Sequence, residues 1–282
     1  MAGSNTTGLP QTSDYSLGRG KLYVAKLDTA TGKPDQSGWR DVGNVPDFSV
    51  SIDIEELLHQ SSQAGLRVTD KRVVVSQTMN LSISLDELSG QNMALFFSGD
   101  TASVTNPAVA GFAATNITTS AVLGRWYDIR SPAGVRAVDI EAANTTVTET
   151  GGPTVLTLGT DYKLDLKMGR VFLFSTAVNV SAGDTVTVTL AADAGAAPQL
   201  DQVKALTKSS EQLVLKFIAE NPANDDEQME LEFHSATLSA EGDFALIGDD
   251  WTVMQLSGVA QQETIGDPAG PRTLTITTHA NA

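Results

Sequence analysis

Apolar and polar residues alternate strictly over long parts of this chain, a period of two that is typical of half-buried β-strands. The alternating segments are residues 48–55, 79–86, 186–190, 229–234 and 274–277. Residues 21–27 and 213–217 predict two further strands with burial on both faces. A helix is predicted where Ser89 can cap residues 90–97 and Gly99 can end it. The pattern therefore predicts an almost entirely β protein with one short helix after a long strand pair.

Two segments rich in small and polar residues, 101–122 and 193–200, are predicted to be linkers. Short strands separated by turn residues lie between them, as expected of a small β-sandwich. These strands are predicted at residues 135–141, 145–148, 155–157, 162–166, 170–174 and 184–190. A weak helical turn is predicted at 200–205. The predicted parts are a flexible N-terminal arm at 1–17, a discontinuous β-domain at 18–121 and 196–282, and an inserted Ig-like β-domain at 122–195.

Residues 57–72 separate two strong strands and are only weakly patterned, so they are predicted to form a loop. Sixteen residues is long for a hairpin connection, and loops of this length usually have a function. Leu57, Leu58, Leu66 and Val68 give it more apolar character than a solvent loop needs. The loop either docks on a neighbouring subunit or folds back on its own domain, and the residues alone favour neither.

The polar positions of the alternating strands form a pattern of their own. They are small or acidic, without lysine or arginine: Ser49, Ser51, Asp53 and Glu55; Asn80, Ser82, Ser84 and Asp86; Glu230 and Glu232. If these strands share one sheet, one side is apolar and the other is polar and acidic. A plain solvated face usually mixes both signs of charge. A conduit for DNA would need such a surface, because phosphates find no cation there.

The composition argues against several classes of function. Lys and Arg total 18 against 34 Asp and Glu, and the resulting net charge of −16 argues against a protein that grips nucleic acid. The absence of cysteine removes disulfides and thiolate chemistry. The longest strongly apolar stretch, residues 93–97, is too short to span a bilayer, and the N-terminal residues lack the pattern of a signal peptide. No membrane partner is predicted.

Catalytic, cofactor and metal sites are not predicted. His59, His234 and His279 lie far apart in the sequence, and no G-x-S-x-G or H-E-x-x-H motif is present. A Ser-His-Asp triad assembles in space, so the sequence alone leaves one open. The acidic clusters at 224–227 and 249–250 could offer oxygen ligands to calcium, but they lack EF-hand spacing and are favoured in turns by geometry alone.

Several segments in order resemble siphophage tail tube (major tail) proteins. They are GRGKLYVAKLD at 18–28, the stretch from GWRDVGNVP to ALFF at 38–97, and QMELEFHSATLSAEGDFALIGDDWTVMQLSGVAQQE at 228–263. The Gly43–Pro46 turn and the LDEL sequence at 85–88 lie within the second stretch, and TLGTDYKLDLKMGRVFLF at 157–174 resembles a β-insert of many such proteins. The resemblance covers roughly residues 18–100 and 200–265.

This resemblance implies a β-sandwich or barrel flanked by one short α-helix, in a protein that builds stacked hexameric rings and not an enzyme. It implies that the loop bridges subunits through Leu57, Leu58, His59, Leu66, Arg67, Val68 and Arg72. The polar rows would line a lumen that holds a tape measure protein and later passes phage DNA without binding it specifically. Tail-tip and tail-terminator proteins would be further partners, and the insert would decorate the exterior. The protein would be made in the host bacterial cytoplasm and function in the virion.

Three other interpretations remain open. One is the inner tube of a contractile tail, where an outward insert would interfere with the sheath. Another is a capsid decoration or tail-completion protein, which forms trimers or a single ring. A third is a jelly-roll enzyme, which would need convergent His and Glu ligands.

Overall fold

The computed structural model describes residues 18–61, 65, 67–151, 154–193, 195–220, 228–263 and 272–279. The predicted N-terminal arm at 1–17, Leu66 and the acidic cluster at 224–227 lie outside them. The chain divides into two compact units: unit 1 comprises Met1–Thr101 and Val203–Ala282, and unit 2 comprises Ala102–Gln202. As predicted, the fold is all-β, with long antiparallel strands and little helix.

In chain order, the elements are β1 (Gly20–Asp28), β2 (Lys33–Pro34), β3 (Arg40–Asp41), β4 (Asp47–Ser61), β5 (Val68–Leu85), α1 (Gly90–Phe96), β6 (Asp100–Thr105), α2 (Pro107–Ala110), β7 (Phe112–Thr118), β8 (Trp126–Asp128), a 3₁₀ turn (Ala142–Asn144), β9 (Thr145–Glu149), β10 (Thr154–Val155), β11 (Tyr162–Asp165), β12 (Arg170–Leu173), β13 (Val186–Leu190), β14 (Gln199–Lys204), β15 (Gln212–Glu220), β16 (Gln228–Glu241), β17 (Met254–Ala260) and β18 (Leu274–His279).

Unit 1 is built on one antiparallel sheet with the strand order β2-β1-β15-β16-β17-β5-β4; β18 pairs with β16 and β3 with β1. The sheet curls, since the ring of Phe48 on β4 lies 5.4 Å from that of Phe217 on β15 and 5.9 Å from that of Phe233 on β16. The inward positions of the alternating strands, such as Leu81 and Leu256, form the buried core. Alternation therefore separates core from surface in β5 after residue 80 and in β17, whereas Val50, Ile52 and Ile54 of β4 are exposed.

Helix α1 packs on this core through Phe96 and is confirmed where the sequence predicted it. The Ser89 hydroxyl accepts a hydrogen bond from the Asn92 amide at 3.2 Å, which satisfies one amide that the helix start leaves free. Asn92 is buried, and its side chain donates to the carbonyl oxygens of Val42 at 2.7 Å and Glu87 at 3.0 Å. These bonds fix the helix against the turn that precedes β4.

Unit 2 contains a four-stranded sheet, β10-β9-β13-β7, and a three-stranded sheet, β11-β12-β8. Both sheets contribute to one buried cluster: Val147 and Val188 come from the first sheet, and Val171 and Leu173 from the second. Two sheets that share a core in this way form a small sandwich.

Three expectations about local structure are wrong. The segment 101–122, predicted to be a linker, contains β6, α2 and β7, and β7 is an edge strand without a buried residue, which explains its weak apolar signal. Residues 200–205, predicted as a helical turn, lie mostly in β14. Residues 135–141 form no strand in the described chain, and only the bridge between Arg130 and Arg136 occurs there.

Candidate functional site

The segment 57–72, predicted to be a loop, is mostly a continuation of the two strands around it. Strand β4 has 15 residues and β5 has 18, and the two pair in antiparallel register from Asp47↔Ser84 to Ser61↔Val68. The register shifts between Glu55 and Glu56 and again between His59 and Gln60. These irregularities interrupt the alternation, because one extra residue reverses the faces that follow it. The strand signal in the sequence is therefore weak over this segment.

The distal part of this hairpin is an arm, defined as residues 55–61 of β4 and 68–77 of β5. None of these described residues is buried, whereas Leu81, Ile83 and Leu85 of the same β5 strand are. Ten residues of β5 thus extend beyond the core, a length of about 34 Å for an extended strand. The arm is consequently a structure without a core of its own.

Apolar side chains cover both faces of the arm. Leu57 and Leu58 are neighbours in a strand and so point to opposite faces, with exposed fractions of 67% and 52%. Val73 lies directly across from Leu57 and is also exposed. Val68 and Val74 are exposed as well. Monomeric proteins seldom expose contiguous apolar surface of this kind, so the arm has the character of an interaction surface.

The charged residues of the arm are partly paired within it. Arg72 forms an ion pair with Glu56, and Nδ1 of His59 lies 2.5 Å from a carboxylate oxygen of Asp70. Arg67, immediately before β5, is exposed. The predicted bridging residues therefore lie together on the arm or directly beside it, except for Leu66, which is outside the described residues.

The polar rows of β4 and β5 form one continuous face. Ser49 lies across from Ser82, and Ser51 across from Asn80. Asn80 Nδ2 donates to Asp53 Oδ2 at 2.6 Å. At the two ends of the row, the Ser76 hydroxyl donates to Glu55 at 3.0 Å and Asn44 Nδ2 donates to Asp86 at 2.6 Å. Ser84 lies across from Asp47, which adds a carboxylate that the alternation did not single out.

Glu230 and Glu232 differ from this description because a lysine lies between them. Nζ of Lys216, on the neighbouring strand β15, is 2.7 Å from Glu230 and 3.8 Å from Glu232. The same ammonium group lies 4.7 Å from the centre of the Trp39 ring. The expectation of a cation-free face is therefore wrong at this position, since the sequence does not reveal which strand lies alongside β16.

The loop between β16 and β17, residues 242–253, is a second exposed apolar surface that the sequence interpretation missed. Ile247 is 97% exposed, Trp251 89% and Leu246 82%. Phe244 anchors the loop, because its ring lies 5.6 Å from those of both Phe96 and Phe97. The sequence does contain a signal for this surface, because large apolar residues occur there among Gly and Asp residues that are typical of a turn.

Other chemistry is limited among the described residues. His234 Nε2 lies 2.7 Å from the Thr275 hydroxyl, but its Nδ1 is 4.0 Å from Glu263, which is too far for a hydrogen bond. One cavity of about 520 Å³ is lined by ion-paired groups such as Lys208, which contacts Asp100 and Glu211 at 3.0 Å each. No cluster of three or more His, Cys, Asp or Glu side chains suited to a metal occurs in the described part of the chain. Its helices include none long and apolar enough to cross a membrane.

Comparison with known proteins gives one family. Residues 15–267 match the model of a family described as "Protein of unknown function UCP028589", a match that spans most of the chain. A search of curated proteins found no match.

Proposed function

This chain belongs to the family of proteins of unknown function UCP028589, and we propose that it is a virion structural protein that polymerises. In this proposal, copies of the chain form hexameric rings that stack into the hollow tail tube of a long-tailed, non-contractile phage. The tube is the conduit through which DNA leaves the virion. The protein has no catalytic role and requires no cofactor.

The observation that carries the proposal is the arm. A two-stranded hairpin is at best marginally stable alone in water, and this one has no buried residue of its own. Exposed side chains such as Leu57, Leu58 and Val73 gain about 25 cal/mol for each Å² of apolar area that another molecule covers. An arm of this kind is therefore best explained by contact with further copies.

The edge of the sheet supports the same conclusion. Among the described strands, β4 pairs with β5 alone, so its other edge is open over 15 residues. It has no Lys or Pro, the residues that most often protect an edge strand from pairing, and its charged residues are Asp47, Asp53, Glu55 and Glu56. Pairing of this edge with a neighbouring copy would merge the sheets of a ring into one larger barrel.

The polar face of β4 and β5 suits the wall of a DNA conduit. Its exposed carboxylates, Asp47, Asp53 and Glu55, would repel phosphates, and its serines offer no cation. Glu230 and Glu232 contribute less repulsion because Lys216 neutralises part of their charge. We assign the lumen to the β4–β5 face on this basis.

The remaining assignments follow from the tube proposal. Unit 2 would decorate the exterior, which favours a flexible tail without a sheath. A tape measure protein would occupy the lumen before DNA, and tail-tip and tail-terminator proteins would cap the two ends.

The test is negative-stain electron microscopy of the concentrated protein, with and without a tail-tip complex. Hollow tubes or stacked rings are expected for the parent chain. Leu57→Ser combined with Val73→Ser should abolish them, because these exposed side chains stabilise only the assembly. The monomer's unfolding temperature should change little, since neither side chain is buried.

The matched control is Val178→Ser, a change at a side chain of unit 2 that is 76% exposed. This variant should form tubes like the parent. Closed trimers, or monomers at every concentration with the tail-tip complex present, would contradict the proposal and favour a decoration or completion protein.

A further inference from the structure

The loop at 242–253 and the arm lie at opposite ends of the sheet in unit 1. Strand β17 follows the loop, and its first residue, Met254, lies across from Leu85 at the end of β5. The arm ends at the other terminus of β5, where Val68 lies across from Ser61. The 18 residues of β5 separate these two surfaces by roughly 55 Å in extended conformation.

The loop and the outer part of the arm carry opposite charges. Residues 242–253 contain Asp243, Asp249 and Asp250 and no cation, a charge of −3. The outer part of the arm, residues 57–61 and 67–72, contains three cations and one anion, so its charge is 3 − 1 = +2, and Glu55 and Glu56 at the base of the arm balance it. A net positive segment stands out in a chain whose overall charge is −16.

The apolar groups of the two surfaces are complementary as well. The loop presents Leu246, Ile247 and Trp251, all at least 82% exposed. The arm offers aliphatic side chains beside guanidinium groups, and an arginine stacks favourably on a tryptophan ring. Tryptophan and arginine are also the residues most often found at the energetic centre of protein interfaces.

We propose that the loop at 242–253 is the receiving site for the arm of a second copy of this chain. Arg67 and Lys71 of one copy face Asp249 and Asp250 of the next, and the aliphatic residues of the arm cover Trp251. This contact rests on the proposed tube, for which it supplies the joint between successive rings. Because donor and receiver lie at opposite ends of the unit, the contact is head-to-tail and leaves both ends open to further growth.

Charge reversal tests the pairing. Arg67→Glu with Lys71→Glu should raise the concentration needed for assembly by roughly tenfold or more, and so should Asp249→Lys with Asp250→Lys. The chain that carries all four changes should assemble again near the parent's concentration. As a matched control, Glu141→Lys with Asp201→Lys in unit 2 makes the same change of charge and should not rescue the arm variant. Sedimentation velocity and electron microscopy provide the readout.

Cross-linking tests the contact directly, and the chain's lack of cysteine makes it a clean background. Leu57→Cys with Ile247→Cys should give a ladder of disulfide-linked oligomers under mild oxidation. Leu57→Cys with Leu206→Cys should not, although Leu206 is 84% exposed. Trp251→Ala, added to the variant with Leu57→Cys and Ile247→Cys, should lower the yield of disulfide-linked oligomers.

The outcomes separate the two proposals. If the parent chain forms tubes but the variant with all four charge reversals does not recover assembly and no disulfide ladder appears, the arm–loop contact is overturned and the tube proposal stands. A ladder from a chain that never forms tubes would support the contact and overturn the tube. Absence of both would overturn both.

Discussion

At the scale of single residues, Asp161 shows how unit 2 is held together. Its side chain is fully covered, and one oxygen accepts hydrogen bonds from the amides of Val178 at 2.8 Å and Asn179 at 3.0 Å. The other oxygen accepts from the Thr157 amide at 2.8 Å and the Asn179 side chain at 2.9 Å. Burial raises the pKa of this carboxyl, but the hydrogen bonds together outweigh it and lower the pKa from 3.8 to about 2.

Asp161 should therefore make unit 2 sensitive to acid. Because its pKa is lower in the folded state, its stabilising effect is complete above about pH 4 and is lost as the pH falls toward 2. Asp161→Asn should lower the free energy of unfolding by about 2 kcal/mol or more at pH 7, and the difference should shrink below pH 4. Trp126 fluorescence in a Trp39→Phe, Trp251→Phe background reports on unit 2 alone.

The control for this experiment is Asp184→Asn, which also lies in unit 2. Asp184 accepts a single hydrogen bond from the Ser181 amide, at 2.6 Å, in an exposed turn. Its replacement should lower the free energy of unfolding much less than that of Asp161. Equal losses for both variants would show that Asp161 has no special role.

Residue-scale features differ in how far the sequence predicts them. The rows containing Ser49 and Ser82 were predictable, because alternation alone determines which residues share a face of a strand. The ion pairs of Lys216 with Glu230 and Glu232 were not, because they depend on which strands become neighbours. Asp161 was missed for the same reason: its partners lie as many as 18 residues away in another loop.

At the scale of elements, the helix and the core strands followed from local rules. Ser89, the apolar run after it and Gly99 predict α1 from the local sequence alone. The arm could not be predicted from these rules, because two register shifts break its alternation and neither of its faces is buried. Sequence periodicity reports burial within one chain, so a strand without a buried face lacks that signal.

The helix cap provides an element-scale prediction. Ser89→Ala should lower the free energy of unfolding of unit 1 by about 1 kcal/mol, because it removes the hydroxyl that accepts the Asn92 amide. Ser89→Asp retains an acceptor at this position and should remain close to the parent. Urea denaturation followed by circular dichroism measures the difference. An equal loss for both variants would mean that the serine matters for packing and not for capping.

At the scale of the whole molecule, the sequence predicts an insert at 122–195, and the compact unit found there runs from Ala102 to Gln202. The two ranges differ mainly at β7, whose Ala- and Thr-rich residues have the composition of a linker. Composition distinguishes a linker from an exposed edge strand poorly, because both are polar and rich in small residues.

The assignment of the lumen leads to a prediction for the assembled tube. The variant Asp53→Lys with Glu55→Lys should still form tubes. Unlike the parent tubes, these should retain a short DNA duplex in the lumen. Cations on the inner wall would bind phosphates and release counterions, so retention should weaken steeply as salt increases. The measurement is protection of the duplex from a nuclease in purified tubes, at several salt concentrations.

Glu141→Lys with Asp201→Lys is the control, since it makes an equal change of charge in unit 2. Any DNA that it binds should remain open to the nuclease. Protection in the control, or none in the Asp53 and Glu55 variant despite intact tubes, would contradict the assignment of this face to the lumen.

The chain leaves unit 1 and returns to it along neighbouring strands, since β6 pairs with β14. Gly99 approaches so closely that a side-chain Cβ there would lie 2.3 Å from the Lys204 carbonyl oxygen, and the Thr207 hydroxyl donates to Asp100 at 2.9 Å. Residues 102–202 can therefore be regarded as a cassette. A foreign module with adjacent termini could be spliced between Thr101 and Val203 without altering the strand order of unit 1. If the chain polymerises as we propose, the polymer would then be a platform for dense, regularly spaced display.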